Sequence, residues 1–458
     1  MKKSTEQLYA ERLARYTTAM RGGMPDRVPI RPFVAEFCAK YAGFTCQDVA
    51  HDYAKAYEAV IRTGKDFDWD AMVVNMVWVW TGLAQAAGLK YYAIPGIHIP
   101  ADTGFQYREP PEDGAYMRPD EYDALIDDPT AFLLNTWMPR VSAGTPLSLL
   151  KGGMAMMQYF GSLGGQVQRM QTENGTVSAI AGILKAPLDI LADKLRGYLG
   201  LLSDLETQPK KVQAACEALA PHLFAVALGS SDPTGTVPIG FWMHRSCVPL
   251  VAPAHFSNIF WPTLRPIIEE LWRHGRQTLF YAEGNWDYHL DDFAALPAHS
   301  IVYHMDQADP AKVIRKLGGK FCLSGGIPNA LLGMGKPEAV RAKVKQVLDV
   351  CARDGAYIMD ASAIVQNDAK IENMKAMTEA TLEYGCYSRQ RPAAPPQPKP
   401  APQTIGRPTR TAPGSVEPWD RVKNRWPPVT GSEEVVRNVW SLTDGLAYMY
   451  AWQILESF

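Results

Sequence analysis

Three short segments carry the side chains best suited to chemistry. VPIGFWMH ends in His244, TLFYAEG ends in Glu283 and Gly284, and SIVYHMDQAD holds His304 followed by Asp306. Two imidazoles and a carboxylate suit a zinc ion, and three protein ligands leave a fourth position open for substrate. A zinc so held polarises a bound heteroatom as a Lewis acid. The competing reading is that polar residues at strand ends are structural hydrogen-bonders. The chain has no Cys-x-x-Cys, His-Glu-x-x-His or His-x-His, so strand-end position alone nominates Glu283, His304 and His244 as ligands, with Asp306 in reserve. Trp242, Tyr281, Trp286 and Tyr303 lie beside them in sequence and could stack an aromatic substrate; core packing accounts for such residues equally well. Arg31, Arg196 and Arg245 could hold a carboxylate, although ordinary ion pairing is the commoner fate. Asp66, Asp68 and Asp70 read as a solvated turn, and Cys322 as an inert core thiol.

The elements that must position these residues are visible as alternation. The β-branched runs Val28–Phe33, Ala71–Val77, Ala181–Ala186, Val237–His244, Gln277–Gly284, Ser300–Met305, Lys320–Gly326 and Ala356–Ser362 read as strands, with helical patterns between the later ones. Eight strands alternating with helices predict an α/β chain folded as a (β/α)8 TIM barrel, with its active residues at the C-terminal strand ends. Residues 1–387 form that body, and 88–175 read as an insertion over the barrel mouth. Residues 388–413, SRQRPAAPPQPKPAPQTIGRPTRTAP, are too rich in proline and too poor in large apolar side chains to fold, and read as a linker. The tail, 414–458, holds one apolar helix with Val435, Val436, Val439, Trp440, Leu442, Leu446, Met449 and Leu455. Such a helix does not stand alone in water; it must dock on the body, on a second copy of the chain, or on a partner protein.

Composition narrows the function classes. Apolar residues make up 47%, enough for a large core, and 46 basic against 48 acidic residues give a net charge of −2. That balance argues against nucleic acid or an anionic membrane as partner. No uninterrupted apolar run reaches the ~18 residues of a membrane span. Seven scattered cysteines and an N-terminus without an apolar signal segment lead us to expect a cytoplasmic protein with reduced thiols.

Several segments resemble the uroporphyrinogen decarboxylase superfamily: DRVPIRPF, PDEYDALIDDPTAF, APLDILADKLRGYLG, the long run from FSNIFWPTLRPIIEELW to LLGMGKPEAV, and GAYIMDASAIVQNDAKIENMKAMTEATLEYGCY. The resemblance spans roughly 10–387 and implies a (β/α)8 barrel. Departures from the porphyrinogen decarboxylases are clear. Arg31-Pro32-Phe33-Val34-Ala35 stands where their Arg-Gln-Ala-Gly-Arg would be, Asn75 stands near their second-strand Asp, and Asp360-Ala361-Ser362 replaces their Gly-His-Gly. The other branch holds corrinoid-dependent methyltransferases. Their thiolate zinc ligands are missing, with Tyr281 and Glu283 at the His-x-Cys places and Ser362 near the late Cys. The chain is instead similar to the O-demethylase methyltransferases, which carry Glu-Gly here and a His twenty-one positions later, as Glu283 and His304 do. That likeness implies Glu283 and His304 as zinc ligands, with His244 added from strand-end position. It implies methyl transfer from a small methylated donor, a methoxylated aromatic in preference, to a Co(I) corrinoid. No Asp-x-His-x-x-Gly is present; Asp287-x-His289 comes nearest, with Asp292 in the Gly place. The corrinoid is therefore expected on a partner protein. A cofactor-independent decarboxylase of a non-porphyrin acid is the alternative.

Overall fold

The computed structural model describes residues 3–74, 83–110, 115–394 and 401–456. Eight parallel staves appear, each within or beside a run read as a strand above. They are Phe33–Val34, Ala71–Val74, Val177–Ser178 continued by Ile183–Lys185, Ile239–Met243, Thr278–Ala282, Ile301–Met305, Cys322–Gly325 and Tyr357–Ile358. Val177–Ser178 pairs with Ala71–Met72, and Ile183–Lys185 pairs with Gly240–Trp242, so this third stave serves two neighbours with different halves. Gly182 lies between the halves at φ +80°, and a Cβ there would meet Ser230 Oγ at 2.8 Å. Only glycine accommodates both constraints. Parallel bridges Ile30↔Met359 and Val34↔Val365 join the first stave to the last. The fold is the TIM barrel that the alternation predicts.

Period-two alternation sorts side chains to two faces. Phe33, Val73, Ile183, Trp242, Leu279, Tyr281, Val302, Cys322 and Ile358 pack together in the interior. Phe241, Phe280, Tyr303 and Leu323 face the surrounding helices. The N-terminal helix Thr5–Met20, started by a Ser4/Gln7 capping box, closes one end of the barrel, where Tyr16 donates to the Ala179 carbonyl at 2.9 Å.

Within 88–175, a hairpin pairs Tyr92–Ala93 with Gln106–Tyr107. Its continuation places Glu109 on Arg245, at the C-terminal end of a stave. Further on lies the long helix Pro146–Arg169, begun by Thr145 and Pro146, in which Gly152, Met156 and Tyr159 are buried. The described part of the proline-rich stretch is laid on the body: Arg407 N–H donates to Glu217 O, and Thr411 Oγ1 to Asp128 Oδ2 at 2.6 Å. The tail helix Glu433–Glu456 docks by its second half. Trp452 stacks on His222 at 4.6 Å, its indole N–H reaches Thr130 Oγ1, and Tyr448 hydrogen-bonds His222 Nδ1 at 3.1 Å. The helix Pro209–Ser230, which carries His222, is long and apolar enough to cross a membrane; here its apolar residues are core, with Val212, Cys216, Leu219, Leu223 and Val226 buried.

Candidate active site

The strand register sets two polar layers inside the barrel. Lys185, Trp242, Tyr281, His304 and Ser324 lie side by side on successive staves. Two residues further along three of these staves come His244, Glu283 and Asp306, on the same face and at the C-terminal mouth.

The lower layer is a buried network. Arg31 Nη2 donates to Asp360 Oδ2 at 3.0 Å and to Ser324 Oγ at 3.1 Å. His304 Nδ1 meets Ser324 Oγ at 2.9 Å, and its Nε2 meets the Ser362 carbonyl at 3.1 Å. The His304 ring stacks on Tyr281 at 3.9 Å. Burial holds the His304 pKa well below the ordinary imidazole value, and the Arg31 charge adds to that. Burial also pushes the Asp360 carboxyl up to about 7, against the pull of Arg31. A bonded imidazole that stays neutral is a structural part of the barrel centre.

The upper layer is differently furnished. His244 Nε2 lies 3.0 Å from Asp193 Oδ2. Asp193 also takes Lys185 Nζ at 2.6 Å and Arg245 Nε at 2.9 Å. Three cationic neighbours drive the Asp193 pKa well below its ordinary value despite burial. Burial works to lower the His244 pKa, but Asp193 overrides it and the net shift is upward. Burial pushes Glu283 up; the Asp306 charge adds to this, while His244 and Lys185 oppose it. Asp306, raised by burial, accepts the Gly284 N–H at 2.8 Å. Gly284 sits at φ +87° with its Cα side against Cys247 Sγ, 2.6 Å from where a Cβ would stand; this bend turns the chain over the mouth immediately after Glu283.

The nominated residues are thus only partly assembled. His244 and Glu283 share the mouth with Asp306, the reserve residue. His304 does not join them: it lies two residues deeper, with both ring nitrogens engaged. Among the described residues no group of three or more His, Cys, Asp or Glu side chains is disposed to hold a metal ion. In this structure His304 stands apart from Glu283 and His244, and no step below is routed through a zinc ion. Trp242 and Tyr281 do face inward, forming an aromatic floor with Phe33 at centroid distances of 5.4 and 5.2 Å. Tyr303 faces outward against Phe293. Trp286 is buried among Phe256, Phe260 and Phe293, with its N–H on the Glu283 carbonyl. Neither lines the mouth, because alternation and the post-strand bend send them to the helix layer. Asn75 lies outside the described residues. Arg196 is committed to Asp204 and the Met117 carbonyl.

Sequence reasoning passed over Lys185, Asp189 and Asp193. The last two sit four apart on the helix that runs from Pro187–Ile190 into Leu191–Leu195. The signal was an Asp-x-x-x-Asp pair opening a helix just past a strand, which puts both carboxylates on one face.

The family model for uroporphyrinogen decarboxylase (URO-D) matches residues 156–384. The chain belongs to the uroporphyrinogen decarboxylase family. The matched span holds six of the eight staves, together with His244, Glu283 and Asp306. Among solved structures, a methyltransferase from Methanosarcina mazei is similar, with a TM-score of 0.56 and 13% identity over 81% of this chain and 98% of that one. At that identity the likeness concerns the fold. Among curated proteins no relative matches. Both findings agree with the barrel, and the family member described here carries His244, Glu283 and Asp306 at the barrel end where such folds do chemistry.

Proposed function

We propose that this protein is a methyltransferase that moves a methyl group from a small methylated donor, a methoxylated aromatic in preference, to a Co(I) corrinoid carried by a partner protein. The observation that carries this reading is the mouth layer: His244, Glu283 and Asp306, sunk above the Phe33, Trp242 and Tyr281 floor. The structural likeness to a methyltransferase supports it.

Glu283 is the acid in this reading. Its burial makes it hold a proton to higher pH than an ordinary glutamic acid. As the methyl carbon passes to the acceptor, the C–O electron pair stays with the ether oxygen. Glu283 gives that oxygen its proton and becomes a carboxylate. His244, whose protonated form Asp193 favours, stabilises the new charge. Positioned general acids contribute about 10²–10⁴ in rate. The aromatic floor orients the ring of the donor.

The test mixes purified protein, a methoxylated aromatic and a reduced corrinoid protein, and follows formation of methyl–cobalt by absorbance. The rate should fall as pH rises through the elevated Glu283 pKa, because the acid form is consumed. A flat pH profile, or full activity in Glu283→Gln, would sink the assignment of Glu283.

One observation favours a second reading, decarboxylation of a small acid. Buried Arg31 has Nε and Nη1 without a hydrogen-bond partner among the described residues. An interior guanidinium with two nitrogens so placed is suited to a carboxylate. Carbon dioxide release without added corrinoid would favour that reaction.

A further inference from the structure

A large groove lies away from the mouth. Its volume is about 1180 Å³, and its walls are the long helix Pro146–Arg169 and the tail helix Glu433–Glu456. Tyr9, Leu13, Ile180 and residues 230–237, which precede the stave Ile239–Met243, form its base. The two helices touch where Gly152 faces Tyr450, and Tyr450 Oη donates to the Leu149 carbonyl at 3.4 Å. The walls are apolar and partly wet: Leu150, Met154, Met157, Phe160 and Leu446 line the groove and are exposed. Val435, Val439 and Leu442 continue Leu446 as a stripe along the tail helix. A Cβ at Gly164, another wall residue, would meet nothing within 4 Å, so the space beside it is open.

The base has a different chemistry. Ser178, Ser230, Ser231, Thr234 and Thr236 line it with hydroxyls, and Asp232 is the one charged side chain among the described lining residues. Asp232 Oδ1 accepts the Thr234 N–H at 2.9 Å, and Oδ2 accepts the N–H groups of Thr236 and Val237 at 2.8 and 3.2 Å. Burial works to raise the Asp232 pKa, but these bonds and the Thr234 hydroxyl override it, and the group stays ionised. Arg21 and Arg276 belong to the same turn, where they bond the Gly235 and Pro233 carbonyls; neither lines the groove. Tyr9 lies close to Asp232: burial raises its phenol pKa, and the Asp232 charge raises it further. A carboxylate and an aromatic ring thus stand together at the foot of an apolar trough.

We propose that the groove binds a small amphiphilic cation, with its ammonium head at Asp232 and Tyr9 and its alkyl chain along the walls. Three features select this occupant. The first is sign. Backbone N–H groups stabilise the Asp232 charge without cancelling it, and no basic side chain lines the groove, so a cationic head is attracted and an anionic one repelled. The second is the ring. An aromatic side chain beside a carboxylate is the chemistry that recognises ammonium groups. The third is the wall. Met154, Met156, Met157 and Met449 line it, and unbranched thioether side chains adapt to a flexible chain. The space exceeds the ~300–1,000 Å³ of an ordinary small-molecule pocket, which leaves room for a chain as well as a head.

Isothermal titration calorimetry of the full chain tests this, with decyltrimethylammonium and decyl sulfate as probes, each below its micellar concentration. The cation should bind as a single molecule per chain, about tenfold tighter than the anion. Asp232→Asn keeps an oxygen for the Thr234 N–H and should bring the two affinities together. Gly164→Trp puts an indole into the open space and should weaken binding of the cation. The melting temperature of each unliganded variant, set against the parent, separates loss of the site from misfolding. Equal affinity for the two probes in the parent overturns the proposal, as does a parent that binds no cation or binds many per chain. A folded Asp232→Asn that keeps the preference, or a folded Gly164→Trp that binds as the parent does, also overturns it. No methyl transfer enters these measurements, so their outcome is independent of the function proposed for the mouth.

Discussion

The mouth of the barrel and the groove beneath it differ in nearly every physical respect. The groove holds about 1180 Å³ and is lined largely by apolar and small side chains, with Asp232 the one carboxylate among them. The mouth gathers His244, Glu283, Asp306, Asp193 and Lys185 under conditions that shift several of their pKa values. Chemistry depends on where charge is held out of water, and volume by itself marks only where bulk can be received. The mouth also sits over a second polar layer whose imidazole, that of His304, is bonded at both nitrogens. Of two ionisable layers in one barrel, the one whose side chains keep open positions is the better candidate for the reaction.

Four substitutions sharpen this contrast, each touching one region and sparing the other. The largest effect belongs to the mouth: Glu283→Gln should cut methyl transfer by about 10²–10⁴ and leave sedimentation unchanged, checked by the methyl–cobalt absorbance and by analytical ultracentrifugation. Next is the tail anchor. Trp452→Ala removes a fully buried indole stacked on His222 and should cost about 3–5 kcal/mol, read as a shifted urea midpoint. A smaller effect comes from His222 itself, whose burial lowers its pKa to about 4. The unfolded chain then binds this proton more readily than the folded one. Its contribution is therefore complete above about pH 6.5 and is lost as pH falls toward about 4, for a total near 3 kcal/mol. His222→Phe should flatten that part of the stability–pH curve. Least of all, Leu150→Glu alone should move stability by no more than about 0.5 kcal/mol, because Leu150 is exposed, read as an unchanged melting temperature. If it instead destroyed activity at the mouth, the two regions would not be separable.

Much of this architecture is legible in the sequence. Each of the eight runs read as strands holds or adjoins a stave, because hydrophobic alternation is a local signal and eight repeats of it leave few topologies. The strand-end rule also brings His244, Glu283 and Asp306 to the mouth. Reasoning went astray where a single residue's facing mattered. His304 and Asp306 are two positions apart, and only the register shows that the deeper one is satisfied by Ser324 and the Ser362 carbonyl. Tyr303, next to His304, necessarily points the other way. Asp70, read as part of a solvated turn, is fully buried and takes Arg15, Arg27 and the Ile30 N–H. Its partners are up to 55 residues away, beyond any local pattern.

The sequence by itself determined the alternation, the barrel, the strand ends that face the mouth, and the need of an apolar tail helix for a dock. Those follow from periodicity, which each segment carries alone. Only the tertiary structure decided that Asp193 raises the His244 pKa against burial and Lys185, that His304 is bonded at both nitrogens, and that the tail anchors on His222 while leaving a stripe in water. Those depend on which side chains meet across the fold, and on how far each is removed from solvent. Neither quantity is a property of any one segment.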